Sequence, residues 1–314
     1  MRLLTCDIFM LTKKRYGSSR NETVLWGFFF EGQMKEFKSF YKEVAGSEGS
    51  RCRYNKRLDT YGCGCQHDCS YCYAKSLLDF RGLWDSKDPA VADIGKIERK
   101  VRRLPKGTVL RLGGMTDCFQ PKEKTERVTL ETIKLLNKYG VGYLIVTKSD
   151  LVADPLYTAV MDRDLAHIQI TVTTTDDRLY AEKGYEKAVP PDRRIRAILK
   201  LQEEGLDVAI RLSPLIPEYI DFDELNGLGI RKAVVEFLRV NHWIGKWFDI
   251  DTSAYTLKEG NYRHLPLEEK KKILSRIRIP EVTVCEDVAE HYRYWREHVN
   301  PDKDDCCALR KRSA

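Results

Sequence analysis

The chain of 314 residues, 42% hydrophobic and 32% charged, is long enough to bury one large core or two small ones. No stretch approaches the roughly eighteen apolar residues of a membrane span. The start, Met1 to Asp7, lacks the apolar run and small-residue site of a secretory signal, so a cytoplasmic protein is expected. A balance of 54 basic against 47 acidic residues, or +7, permits an anionic partner and argues against a dedicated duplex-binding module.

In chain order, residues 24–30 (Val-Leu-Trp-Gly-Phe-Phe-Phe) read as a buried strand, 34–44 as a helix-like run and 46–50 as a linker. A short strand candidate then ends near Leu58 to Tyr61. Further strands are expected at 108–112, 143–147, 167–172, 208–212 and 233–237, each rich in Val, Ile, Leu or Thr. Helices at 126–138 and 192–204 fall between them. In the second, Ile195, Ile198 and Leu199 share a face, Pro190 and Pro191 precede the start, and Gly205 ends it. Repeated strand–helix–strand predicts a parallel sheet closed or partly closed into a barrel, with chemistry at the C-terminal ends of its strands. After it come strand-like 282–284, a helix at 288–299 with Val288, Tyr292, Trp295 and Val299 on one stripe, and an Asp/Cys-rich tail. The expected organisation is an N-terminal extension 1–50, a partial barrel 51–245 and a C-terminal extension 246–314. Basic runs at 51–57, 96–106 and 310–312 read either as solvated faces or as contacts for an anion.

Ten cysteines stand out, four of them within Cys63-Gly-Cys65-Gln-His-Asp-Cys69-Ser-Tyr-Cys72. A disulfide scaffold would be small, secreted and evenly cysteine-rich, so this crowding points to a metal. Cys65, Cys69 and Cys72 can reach one cubane iron–sulfur cluster from a single loop, leaving one iron open for another ligand. A structural zinc site on Cys63, Cys65, Cys69 and Cys72 is the alternative. Such sites usually draw ligands from separate segments and pin them together, whereas one tight loop gives zinc little to cross-link.

The spacing Cys65-x3-Cys69-x2-Cys72, with Tyr71 before the third cysteine, resembles the signature of the radical S-adenosylmethionine (SAM) enzymes. Residues 61–74 (Tyr-Gly-Cys-Gly-Cys-Gln-His-Asp-Cys-Ser-Tyr-Cys-Tyr-Ala) look like the segment found in the spore photoproduct lyase-related branch. Further similarities are Thr116-Asp-Cys-Phe-Gln-Pro121, Val146-Thr-Lys-Ser149 and Arg211-Leu-Ser-Pro-Leu-Ile-Pro217; together they run from about residue 58 to 240. The resemblance implies an α/β fold, a partial (β/α)6-type radical SAM barrel with N- and C-terminal extensions, using one 4Fe–4S cluster and SAM. It also implies a reductant such as flavodoxin or ferredoxin.

By position within that resemblance, Cys65, Cys69 and Cys72 hold the cluster. Gly113, Gly114, Met115, Thr116 and Asp117 follow the second barrel strand, where the family contacts SAM, and a glycine pair lets backbone approach a ligand closely. Lys148 and Ser149, Thr173, Thr174 and Thr175, and Arg211 end the next three strands and are expected to face the mouth, with Ser213 and Glu236 nearby. Cys118 stands where relatives carry proline. It is the candidate catalytic thiol, a hydrogen-atom donor, with a small buried hydrophobe as the other reading. Cys285, Cys306 and Cys307 raise the possibility of an auxiliary metal site. The expected reaction is reductive SAM cleavage that starts radical chemistry on a pyrimidine base in DNA, as a repair lyase or base-modifying enzyme. A peptide or small metabolite is the alternative substrate, and a non-catalytic, zinc-stabilised nucleic-acid-binding protein is the alternative from another class.

Overall fold

The computed structural model describes residues 37–41 and 52–310. The strand expected at 24–30, the linker at 46–50, Arg51 and residues 311–312 lie outside the described residues, as does most of the helix expected over 34–44. The described part of that run is a strand instead. Phe40–Tyr41 (β1) pairs antiparallel with Arg57–Leu58 (β2), and Asp59 N donates to Ser39 O at 2.8 Å. Pairing along a sheet edge outweighs a weak local helical preference.

The remaining sheet strands follow one another in the chain and in space: β3 Val109–Leu112, β4 Gly142–Thr147, β5 Ala166–Thr171, β6 Asp207–Leu215, β7 Lys232–Phe237 and β8 Glu281–Val284. Each neighbouring pair from β2 to β8 is parallel. Among the described residues no pairing closes the sheet. The result is a mixed α/β protein on an open, mostly parallel sheet, a partial barrel as the strand–helix rhythm predicts. Strand β8 comes from the stretch read as the C-terminal extension and adds to the sheet beside β7.

Helices α1 Tyr73–Leu78, α2 Ile94–Val101, α3 Val128–Lys138, α4 Pro191–Glu203, α5 His242–Trp247 and α6 Ala289–His298 include the crossovers. In α4, Pro191 occupies the first turn, where its missing N–H costs nothing. Gly205 at φ +78° turns the chain back after the helix. The buried face holds Arg194, Ile195, Ala197, Ile198 and Leu201, so it is rotated away from the expected Leu199. One sheet face (Leu110, Leu112, Ile145, Ile170, Ile210, Leu212) joins Ile133 and Leu136 of α3 and Ile198 and Leu201 of α4 in the main core. In α6, Trp295 is buried and stacks on Phe237 at 6.5 Å, while His291 shares its inner side.

The other sheet face is more polar. Register aligns Arg111, Leu144, His167 and Asp207 across it, and a separate small cluster forms around Tyr54, Leu144 and Cys307. The tail lies over this face: Lys232 Nζ donates to Ala308 O at 2.7 Å and the Arg310 amide to Asp207 Oδ2 at 2.8 Å. Asp207 is nearly buried, with His167 Nδ1 at 2.6 Å and Lys232 Nζ at 2.7 Å. Burial opposes its charge, yet His167, Lys232 and the Arg310 amide hold its carboxyl well below the usual range. A depressed carboxylate stabilises the fold above its unfolded value of about 3.9 and loses that contribution as pH falls toward the folded value. Urea unfolding should therefore show stability dropping below about pH 4, with a shallower drop in Asp207→Asn. Equal slopes in the two proteins would remove Asp207 as a cause.

Candidate active site

Strand β2 ends at Leu58, and the following residues make the floor of the site. Asp59, 2% exposed, accepts hydrogen bonds through Oδ1 from the amides of Gly114 (2.7 Å) and Met115 (2.9 Å). The loop after β3 is thus folded back onto the end of β2. Burial pushes the Asp59 carboxyl up to about 6, against the pull of those amide donors. Gly113 adopts φ +80°, the region that favours glycine, and a Cβ on Gly114 would stand 2.9 Å from Arg57 Cδ.

The cysteine loop is held from two sides. Gln66 N donates to Gln120 Oε1 at 2.9 Å and Lys122 N to Gln66 Oε1 at 2.6 Å, tying it to the segment after β3. Opposite, Ser70 N donates to Tyr185 O at 2.8 Å and Lys187 N to His67 O at 2.6 Å. Beneath the loop, Glu186 lies against Cys69, Oε2 to Sγ 3.6 Å, and accepts from the Tyr71 hydroxyl and from Arg194. Cys72 caps α1, its Sγ accepting from Lys75 N at 3.4 Å.

Cys65, Cys69 and Cys72 open together on one cavity of about 160 Å³ at the C-terminal ends of the strands. Gly113, Gly114, Met115, Thr116, Asp117, Lys148 and Arg211 line it with them, as do Ser213 and Glu236. A roomier cavity of about 500 Å³ lies at the opposite ends of the strands, and no thiol lines it. Asp117 joins β3 to β4: Oδ1 accepts from Thr147 Oγ1 and Oδ2 from Lys148 N, both at 2.7 Å. Burial opposes its charge, but His67, whose Nε2 is 3.2 Å from Oδ2, and the amides of Lys148 and Phe119 hold the carboxyl at about 2. Arg211 donates to Gln169 Oε1 (2.8 Å) and Glu236 Oε2 (2.5 Å), and Ser213 Oγ donates to the same Glu236 oxygen at 2.8 Å.

Other expected residues lie elsewhere. Strand β5 ends at Thr171, and Thr171 rather than Thr173, Thr174 or Thr175 lines the cavity. The three later hydroxyls serve local structure: Thr173 meets the Tyr185 hydroxyl at 2.9 Å, Thr174 accepts from Asp176 N, and Thr175 accepts from Asp221 N. Ser149 turns inward to accept from Leu151 N. Cys118 is wholly buried in the main core and does not line the cavity, and burial pushes its thiol far up. That environment is the one of a small buried hydrophobe, the other reading of this thiol. Residues that the sequence reading passed over are Asp59, Arg111, Glu186 and Arg239; Arg111 alone left a signal, a charge between Leu110 and Leu112 in an apolar strand.

The donor set fits an iron–sulfur centre. Three thiols face the cavity, no other cysteine among the described residues lines it, and neither ring nitrogen of the buried His67 makes a well-directed hydrogen bond. Burial pushes Cys65 up to about 12 and raises Cys69 and Cys72 as well, so thiolates at this depth call for a metal charge beside them. Cys63, required by the zinc alternative, sits in the left-handed region at φ 53° and lines no part of the cavity.

Comparison with known proteins agrees with this geometry. An uncharacterized protein of Methanocaldococcus jannaschii is 28% identical over 167 residues, covering 52% of this chain and 62% of that one. Another, of Mycobacterium tuberculosis, is 26% identical over 171 residues, covering 51% and 50%. The chain thus spans about half to three-fifths of the length of these curated relatives. A solved structure of spore photoproduct lyase complexed with dinucleoside spore photoproduct superposes with a TM-score of 0.56 at 15% identity, over 74% of this chain and 76% of that one. A variant of that enzyme with bound AdoMet and the dinucleoside gives 0.56 at 16% identity, over 75% and 78%. These likenesses describe the fold. Residues 60–225, more than half of the chain, match the radical SAM superfamily, and the chain belongs to that superfamily, whose members use a 4Fe–4S cluster and SAM.

Proposed function

We propose that this chain is a radical SAM enzyme acting on a pyrimidine base in DNA, in a single strand or turned out of a duplex, as a lyase or base-modifying enzyme. The observation that carries the substrate class is an aromatic ladder beside the cavity. Trp243 of α5 stacks on Phe80 at 5.9 Å and on Trp247 at 5.5 Å, and Phe80 is 54% exposed. Cations lie over the rings: Arg81 on Phe80 at 5.0 Å, Lys75 on Trp247 at 5.5 Å and Lys246 on Trp243 at 6.0 Å. Helix α5 carries Trp243 and Trp247, and Phe80 lies in the turn Asp79–Arg81 directly after α1. Helices α1 and α5 also line the cavity through Tyr73 and Ile244, and Asn241 Nδ2 donates to Ser76 Oγ at 3.0 Å between them. Stacked rings interleaved with cations are the equipment for holding successive unpaired bases.

In this reading Cys65, Cys69 and Cys72 hold the cluster, and the loop Gly113–Asp117, Lys148 and Arg211 receive SAM. The bound pair supplies one-electron chemistry able to remove a hydrogen atom from the substrate. Lys148 and Arg211 offer positive charge to a carboxylate, and Glu236 offers an acceptor for an ammonium. Asp117 and Asp59 keep the glycine loop in one conformation, so that its backbone can approach a ligand without reorganising. The catalytic unit is residues 51–245, with the flanks as extensions, and the electron that such enzymes need comes from a flavodoxin or ferredoxin.

Anisotropy with a pyrimidine-rich single strand and its duplex tests the substrate class. The single strand should bind more tightly, because a duplex base must first be unstacked at a few kcal/mol. Trp243→Ala should weaken binding about tenfold without changing the salt slope, since a stacked base contributes roughly 1–3 kcal/mol. Lys246→Ala should reduce the slope by about one. DNA should also stimulate anaerobic formation of 5′-deoxyadenosine. No binding at low salt, and no stimulation, would transfer the reading to a peptide or small metabolite.

A further inference from the structure

A second group of thiols lies inside the barrel, apart from the loop of Cys65 to Cys72. Cys52, Cys306 and Cys307 pack together with Tyr54, Val109, Leu144 and Val146 on the polar face of the sheet. Cys285 continues β8, its amide donating to Val235 O at 2.8 Å, and its thiol stands close enough to that of Cys306 to interact with it. Four cysteines from three remote segments thus lie in one neighbourhood, with no three of their sulfurs within 4.8 Å of one another among the described residues. Cys285, Cys306 and Cys307 drew notice in the sequence; Cys52 joins them only through the fold.

Neighbouring cysteines reach one centre with difficulty unless the backbone turns between them, and here it does. Asp305 Oδ1 accepts from the Cys307 amide at 2.9 Å and Oδ2 accepts from Leu309 N at 3.2 Å, while Ala308 takes the left-handed φ of 51°. The Tyr54 hydroxyl fixes Asp305 at 2.5 Å, and Gln169 Nε2 fixes Cys307 O at 3.3 Å. Two guanidiniums, Arg211 and Arg111, stand near the Cys307 thiol. Unlike the loop of Cys63 to Cys72, this set draws on chain that is distant in sequence, as structural thiolate sites do.

We propose that Cys52, Cys285, Cys306 and Cys307 form a second metal site, in which thiolates bind a thiophilic centre that staples the tail and the chain before β2 to the end of β8. The shared chemistry is tetrathiolate ligation, of a zinc ion or of an iron–sulfur core; metal analysis separates the two. The chain in which Cys65, Cys69 and Cys72 are all changed to alanine keeps this site and loses the other, so the two readings fail independently. Purified without oxygen and reconstituted with iron and sulfide or with zinc, that variant should retain about one zinc ion per chain, or iron with acid-labile sulfide. Adding Cys52→Ser and Cys285→Ser should remove it. Cobalt(II) added to the metal-free triple variant should give thiolate-to-cobalt absorption, which requires no activity and no loss of fold. A triple variant that binds neither zinc, cobalt nor iron would overturn the proposal. So would a Cys285–Cys306 disulfide in the anaerobically purified protein.

Discussion

Changing Cys65, Cys69 or Cys72 to alanine is expected to abolish the first cluster and SAM cleavage, while Cys63→Ala leaves both intact. Cys65 and Cys69 are buried and Cys72 partly so, and all three share one cavity, with Cys69 against Glu186 and Cys72 capping α1. A cubane bound by three protein thiolates has no spare ligand in the loop, so losing one leaves two irons open rather than one. Cys63 does not line the cavity and sits in a left-handed turn, with its carbonyl accepting from Asp85 N at 2.7 Å. Iron and sulfide assays, made in chains that also carry alanine at Cys285, Cys306 and Cys307, should fall from about four irons per chain to near zero for the three ligands. An equal loss in Cys63→Ala would restore the four-thiolate zinc alternative.

What could be seen in advance was what the chain writes locally. The spacing of Cys65, Cys69 and Cys72 is a loop-scale pattern, and so are the glycine pair after β3 and the alternation of apolar strands with helices. Strand ends were legible only to a residue or two, and that error decided the fate of Thr173, Thr174 and Thr175. With β5 ending at Thr171, the next hydroxyls belong to a turn and bond to it. The two-residue strand Phe40–Tyr41 is too short to show a period of its own and exists because β2 offers it an edge. Pairings across long sequence gaps were invisible. Asp59 with the Gly114 amide, Tyr54 with Asp305, and Cys52 with the tail each depend on the sheet being assembled first. Cys118 shows the same limit from the other side, since the residues before it line the cavity while its own side chain, like that of Phe119, lies in the core.

Arg194 carries this lesson into energetics and gives the second large effect. Its residue type suggests a solvated cation, yet its spacing to Ala197, Ile198 and Leu201 sets it on the inner face of α4, where its side chain is wholly buried and so is that of Glu186. Its Nε donates to Val189 O at 2.6 Å and its Nη1 to Thr171 O at 3.1 Å, and the guanidinium pairs with Glu186, which also receives Tyr71 and touches Cys69. Removing one member of a buried pair leaves an uncompensated charge, at about 3–5 kcal/mol, whereas replacing both with apolar groups of similar volume is often nearly neutral. Glu186→Ala should therefore lower the melting temperature by on the order of ten degrees. Much of that loss should return in Glu186→Leu combined with Arg194→Met, with a coupling energy above the roughly 0.5 kcal/mol expected of independent sites. The effect should reach the candidate cluster too. Glu186 and Tyr71 brace the strap at residues 185–187, so Glu186→Gln, which keeps the volume and loses the charge, should shift the cluster's reduction potential and electron paramagnetic resonance signal while the fold persists. Additive losses in the double variant would show that the pair does not act as one unit, and an unchanged spectrum in Glu186→Gln would confine Glu186 to the core.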